Sequence, residues 1–113
     1  MSTIDAREVR DLGQGETLIF SACFARAING ATISSVVSVT QKEGPGTLTI
    51  GSATINSVAP VVVDGISQPA GTVVQVEIAA GASLAAGSYR VDVVVVTSAG
   101  ETVALRCWLR VTA

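Results

Sequence analysis

The sequence predicts an all-β fold, an antiparallel sandwich of seven or eight short strands. Three observations carry that reading. Turn-forming residues interrupt β-rich runs at close spacing from about residue 16 to the end. Apolar residues alternate within those runs, as in Leu18, Phe20, Ala22 and Phe24. No stretch shows a convincing helical period.

The elements follow in order. Residues 1–15 form an N-terminal arm or edge strand, and residues 16–113 form the sandwich domain. Within the arm, residues 6–12 suit either a helical turn or a first edge strand. Such a polar arm needs something to hold it, Met1 included, either its own sheet or a neighbouring molecule. Residues 16–25 form the first clear strand, and Asn29-Gly30 turns the chain after it. Residues 33–41 form the second, with Ile33, Val37 and Val39 in phase toward the core. Residues 42–46 are a loop, and 48–50 a short strand ended by Gly51-Ser52. Residues 58–63 read as an edge or bulged strand because Pro60 lies inside them. Asp64-Gly65 turns the chain, residues 67–71 are a loop, and 72–79 form a strand with Val74, Val76 and Ile78 inward.

The last two strands, from Gly87 to Val111, organise the rest. Tyr89, Val91, Val93 and Val95 share one face of the first, and Val103, Leu105, Cys107 and Leu109 one face of the second. Opposing these two sets requires an odd loop, which Ser98-Ala99-Gly100 supplies, with Gly100 at positive φ. Val93 then faces Leu105 and Val91 faces Cys107. On the other face Asp92 falls opposite Arg106, predicting an exposed ion pair, and Arg90 falls opposite Trp108, predicting a cation–π pair. Tyr89 begins the penultimate strand. In immunoglobulin-like sandwiches a tyrosine there ties its hydroxyl back to the preceding loop, so the expected architecture is immunoglobulin-like.

Composition limits the function. Apolar residues make up 49% of the 113 residues and charged residues 14%, against a usual ~25% charged. So few charges cover a free monomer poorly and favour a surface partly occupied by partners. The net charge of −2 gives no electrostatic case for nucleic acid or an anionic membrane. No 18-residue apolar run predicts a membrane span. The polar start does not read as a signal peptide, so a reducing cytoplasm is expected. There Cys23 and Cys107, assigned to opposite kinds of face, are expected as free thiols.

The chain has no histidine, which removes Ser/His/Asp and Cys/His nucleophilic sites and imidazole metal ligands. The nine carboxylates are scattered without an Asp-x-Asp calcium pattern. No catalytic, cofactor or metal site is expected, and no small-molecule substrate. The candidate chemistry is a protein interface. Trp108, Arg106, Arg110 and Arg90 lie together on the outward face of the hairpin, where an exposed tryptophan among arginines has hot-spot composition. Val94 and Val96, with Ala104, extend that face toward the turn, and Arg7 and Arg10 add the arm.

Four phrases carry a resemblance: Leu48-Thr49-Ile50-Gly51, Pro69 through Val76, Ala86 through Val91, and Thr97-Ser98-Ala99-Gly100-Glu101. Over roughly residues 16–111 the chain resembles small tailed-bacteriophage virion proteins with a single immunoglobulin-like domain, of the fiber–tail adaptor group. It departs from them at Val37, where such proteins often carry an aromatic. The resemblance implies a non-enzymatic structural subunit at tail or neck. Its partners would be other virion proteins (tail, portal or fiber subunits) and copies of itself. It would be found in the virion after synthesis in the bacterial host cytoplasm. A capsid decoration or head-fiber protein is the alternative, and a cell-surface or carbohydrate-binding module a second one.

Overall fold

A computed structural model describes the backbone of residues 2–113 and the side chains from Val9 onward. The expectations for Met1 and for the Arg7 side chain lie outside the described residues. Nine strands and one helical turn run in the order β1 (Ser2–Gly13), β2 (Thr17–Cys23), α1 (Ala25–Ile28), β3 (Ile33–Glu43), β4 (Thr49–Ile55), β5 (Val61–Val63), β6 (Ile66–Gln68), β7 (Val73–Ala79), β8 (Gly87–Thr97) and β9 (Thr102–Thr112). They form a sheet of order β1-β9-β8-β3, a sheet of order β2-β7-β4, and a separate β5-β6 hairpin. The fold is an all-β sandwich.

The two sheets bury one core between them. Phe20, Ala22, Val74, Val76 and Ile78 come from the three-stranded sheet, and Tyr89, Val91, Val93, Val95, Leu105, Cys107 and Leu109 from the four-stranded one. Alternation explains both sets, since every second side chain of a strand turns the same way. The β8–β9 register is the predicted one: Val93 pairs with Leu105, Val91 with Cys107, Asp92 with Arg106 and Arg90 with Trp108. Thr97 and Glu101 close the three-residue loop, and Gly100 takes φ 80°. Tyr89 is fully buried, and its hydroxyl donates to the Ala85 carbonyl at 2.6 Å, the tie to the preceding loop that the sequence suggested.

Elsewhere the structure corrects the sequence reading. The arm is an edge strand of its own sheet, but it runs parallel to β9, not antiparallel. Its register shifts between Asp5 and Val9, beside Cys107 of β9. Val37 is 59% exposed rather than inward, because a bulge between Val36 and Ser38 inverts its side. Gly51-Ser52 does not end a strand; β4 absorbs them in a bulge and continues to Ile55. Ile66 and residues 67–68, the latter read as loop, pair with β5 across Asp64-Gly65, both at positive φ as a tight hairpin turn requires. One helical turn, α1, occupies a segment where none was expected. It ends at Asn29 in the left-handed conformation, which asparagine tolerates.

Candidate interaction face

The outward side of β8 and β9 presents Arg90, Val94, Val96, Arg106, Trp108 and Arg110 on one surface. β1 adds Val9 beside Trp108 and Asp11 beside Arg110. β3 brings Glu43 against Arg90 and, through its bulge, Val37 near Ser38 and Val94. Along the strands the face changes character. Near the β8–β9 turn it is apolar, with Val94 and Val96 half-buried and Val37 exposed. Ala104, expected outward and accessible, is buried at 3%. The middle is charged. The far side carries Trp108, half-buried, and Val9, 60% exposed.

The charged middle is wired differently from expectation. Asp92 lies opposite Arg106, yet its carboxylate accepts from Arg90, with Nε to Oδ1 at 3.1 Å. The second nitrogen of Arg90 reaches Glu43 of β3 at 2.8 Å. Asp92 is only 9% exposed, so this is not the exposed Asp92–Arg106 pair predicted. The cause is proximity along the same strand face: Arg90 and Asp92 are two residues apart on β8 and therefore adjacent on one side. Committed to two carboxylates, the Arg90 guanidinium fixes the bridge between β8 and β3. Arg110 pairs with Asp11 at 2.8 Å across the parallel junction, with both side chains well exposed. Exposed pairs of this kind contribute ~0–1 kcal/mol.

Arg10 does not belong to this face. It pairs in register with Leu109, whose side chain enters the core, and so turns to the other side of β1. There its two terminal nitrogens engage both carboxylate oxygens of Asp64 at the tip of the β5–β6 hairpin. The sequence therefore assembled six of its eight interface candidates on one surface. It missed Val9, whose neighbours gave no alternation to read, and Val37, which only the bulge exposes.

Neither cysteine is in a disulfide; Cys107 is buried and Cys23 half-buried. Burial pushes the Cys107 thiol up to about 12, with smaller contributions from the Asp92 charge and from Cys23. A thiol held protonated in this way is a core side chain, not a nucleophile. Among the described residues no group of three or more His, Cys, Asp or Glu is placed to hold a metal ion. Among the described residues no helix is long and apolar enough to cross a membrane. No protein-family model matches the chain, and no curated protein matches it in sequence.

Proposed function

We propose that the protein is a non-enzymatic structural subunit of a tailed bacteriophage particle, an adaptor at tail or neck, docking through the outer face of its four-stranded sheet. The observation that carries the docking reading is that face itself. Val37, Val94, Val96, Trp108 and Val9 offer accessible apolar surface around a fixed charged bridge of Arg90, Asp92 and Glu43. Interface cores combine these features: an aromatic anchor, aliphatic neighbours, and arginines already held in place.

The strand order supports the immunoglobulin-like part of the reading. In such domains one sheet carries the second, fifth and fourth strands and the other the third, sixth and seventh. Here β2-β7-β4 and β3-β8-β9 follow that order once the β5–β6 hairpin is treated as an insertion. The Tyr89 tie fits the same pattern. Assignment to a phage particle rests on the sequence resemblance.

The test pairs assembly with folding. Trp108→Ala should weaken association with particle components by ~2 kcal/mol or more, as central aromatic anchors do. The thermal melt of the isolated chain should change little by comparison. Immunodetection of wild-type and variant chains in purified particles reads the first effect. A chain absent from particles, or a Trp108→Ala chain incorporated at the wild-type level, would overturn the proposal.

A further inference from the structure

A second surface lies where β2 leaves the edge of its sheet open. The bonding pattern identifies which groups point outward. Phe24 N–H donates to Thr72 and Ala80 N–H donates to Glu16, so even-numbered residues of β2 bond to β7. Alternation in an antiparallel ladder then directs the backbone N–H and C=O of Ile19 and Ser21 to the open side. Beside that edge is a cavity of about 310 Å³. Its floor is core: Phe20 and Ala22 of β2, Leu105 and Cys107 of β9. The β5–β6 hairpin stands over it with Val63 and Ile66, and the Arg10–Asp64 pair holds the hairpin tip to β1. An engineered apolar cavity of roughly 150 Å³ holds a benzene ring, so this one has room for a leucine or phenylalanine side chain. At the rim Arg26, exposed on α1, makes no hydrogen bond or ion pair among the described residues.

We propose that this edge receives an extended segment of a partner protein, which adds as a strand to β2, places one large apolar side chain in the cavity, and sets a carboxylate against Arg26. Strand addition needs an unpaired edge for main-chain bonds and a pocket for alternate side chains, and both are present side by side. The apolar floor selects the side chain that points inward. The uncommitted positive charge of Arg26 selects an acidic residue on the incoming strand. Ile19, 58% exposed on the outer side of the same edge, offers the next side chain of that strand a cross-strand neighbour. The proposal deepens the assembly reading by assigning a second docking surface, chemically distinct from the Trp108 face.

The test uses the full chain and a fluorescent acetylated peptide, Thr-Val-Thr-Phe-Thr-Val-Asp, read by fluorescence polarisation. Two further versions are N-methylated at the odd or at the even residues. Saturable binding is expected, with one methylated set weakened at least about tenfold and the other little changed, because only alternate amides face β2. Ser21→Pro removes an outward N–H while leaving the β7 ladder intact, and it should weaken the unmodified peptide similarly, with its melt confirming the fold. Replacing the peptide's aspartate by lysine should weaken binding to the wild type and not to Arg26→Ala. Trp108→Ala should leave peptide binding unchanged, which separates failure here from failure of the adaptor reading. Three outcomes would overturn the proposal: no saturable binding, equal loss or equal retention for both methylated sets, or an edge already closed by self-association that Ser21→Pro abolishes.

Discussion

Replacing Tyr89 by phenylalanine removes one oxygen and isolates the tie between the start of β8 and the loop before it. The ring is fully buried and stays. The lost bond is the 2.6 Å donation to the Ala85 carbonyl. A made hydrogen bond is worth about 1 kcal/mol net, and a buried acceptor left without its donor costs roughly 1–3 kcal/mol. For 113 residues the unfolding entropy is about 0.24 kcal/mol/K, so each kcal/mol lowers Tm by about 4 °C. Tyr89→Phe should therefore melt about 4–12 °C lower, with an unchanged urea m-value. The environment of the ring provides an independent check. A Cβ on Gly44 would fall 2.3 Å from Tyr89 Cδ2, and Gly44 holds φ 148°, so Gly44→Ala must displace the ring or the loop. It should cost at least as much as losing the hydroxyl, through steric strain at a glycine-only conformation. Circular dichroism melts and urea titrations measure both variants. A Tyr89→Phe protein within about 0.5 kcal/mol of wild type would show that the hydroxyl bond does not stabilise the corner, and the reasoning would fail.

Two further predictions concern charge and burial. Arg90→Ala leaves the nearly buried Asp92 without its guanidinium and should destabilise the chain by about 2 kcal/mol. The full penalty for breaking a buried pair is reduced here because Arg90 itself is partly exposed. The double variant Arg90→Ala, Asp92→Ala should recover part of that loss, and a double-mutant cycle with no coupling would contradict the bridge. For Cys107 the folded-state value of about 12 lies above the ordinary 9.0, so the folded chain holds its proton more tightly than the unfolded chain. That stabilisation is complete below pH 9 and is lost as pH rises toward 12, at up to about 1.4 kcal/mol per pH unit. Cys107→Ala should be less stable at pH 7 yet lose stability less steeply between pH 9.5 and 11. Parallel urea midpoints for the two proteins would refute the buried-thiol account.

What the sequence made legible was whatever rests on strict alternation and on one well-defined turn. The β8–β9 register followed from two apolar sets and the odd loop at Ser98-Ala99-Gly100, and every residue pairing in that register is present, although the Asp92 carboxylate bonds Arg90 instead of forming the exposed ion pair expected with Arg106. Tyr89 was readable because its role depends on position at the start of a strand. Where the chain inserts a residue, alternation gives the wrong answer without any local signal. Val37 has the composition of a core position and becomes exposed only because the β3 bulge precedes Ser38. Residues 67–68 read as loop because a three-residue strand, Ile66–Gln68, leaves too short a pattern to count. The Arg90–Asp92 bridge was missed for a different reason. Opposition across strands points Asp92 to Arg106, whereas Arg90 competes for it from two residues away on the same strand face.

These exceptions fall where the two proposed docking surfaces lie, and a common physical reason connects them. A regular sandwich buries one side of each sheet and leaves the other solvated, with edges that must be blunted. In the four-stranded sheet the β3 bulge turns Val37 outward, into the neighbourhood of Val94 and Val96, while the Arg90 bridge ties β8 to β3 through Glu43. In the three-stranded sheet the β2 edge is neither paired nor blunted by proline or lysine. Its nearest cover is a hairpin that forms its own small sheet and does not pair with β2. The β1 register shift lies beside Cys107, on the same cavity floor, so parallel pairing is interrupted where the core is open. A chain selected only for stability would gain by closing that gap with a larger side chain at Ala22. Ala22→Leu therefore separates stability from binding: the fold should hold or gain, while the strand-adding peptide loses the volume into which its phenylalanine would fit.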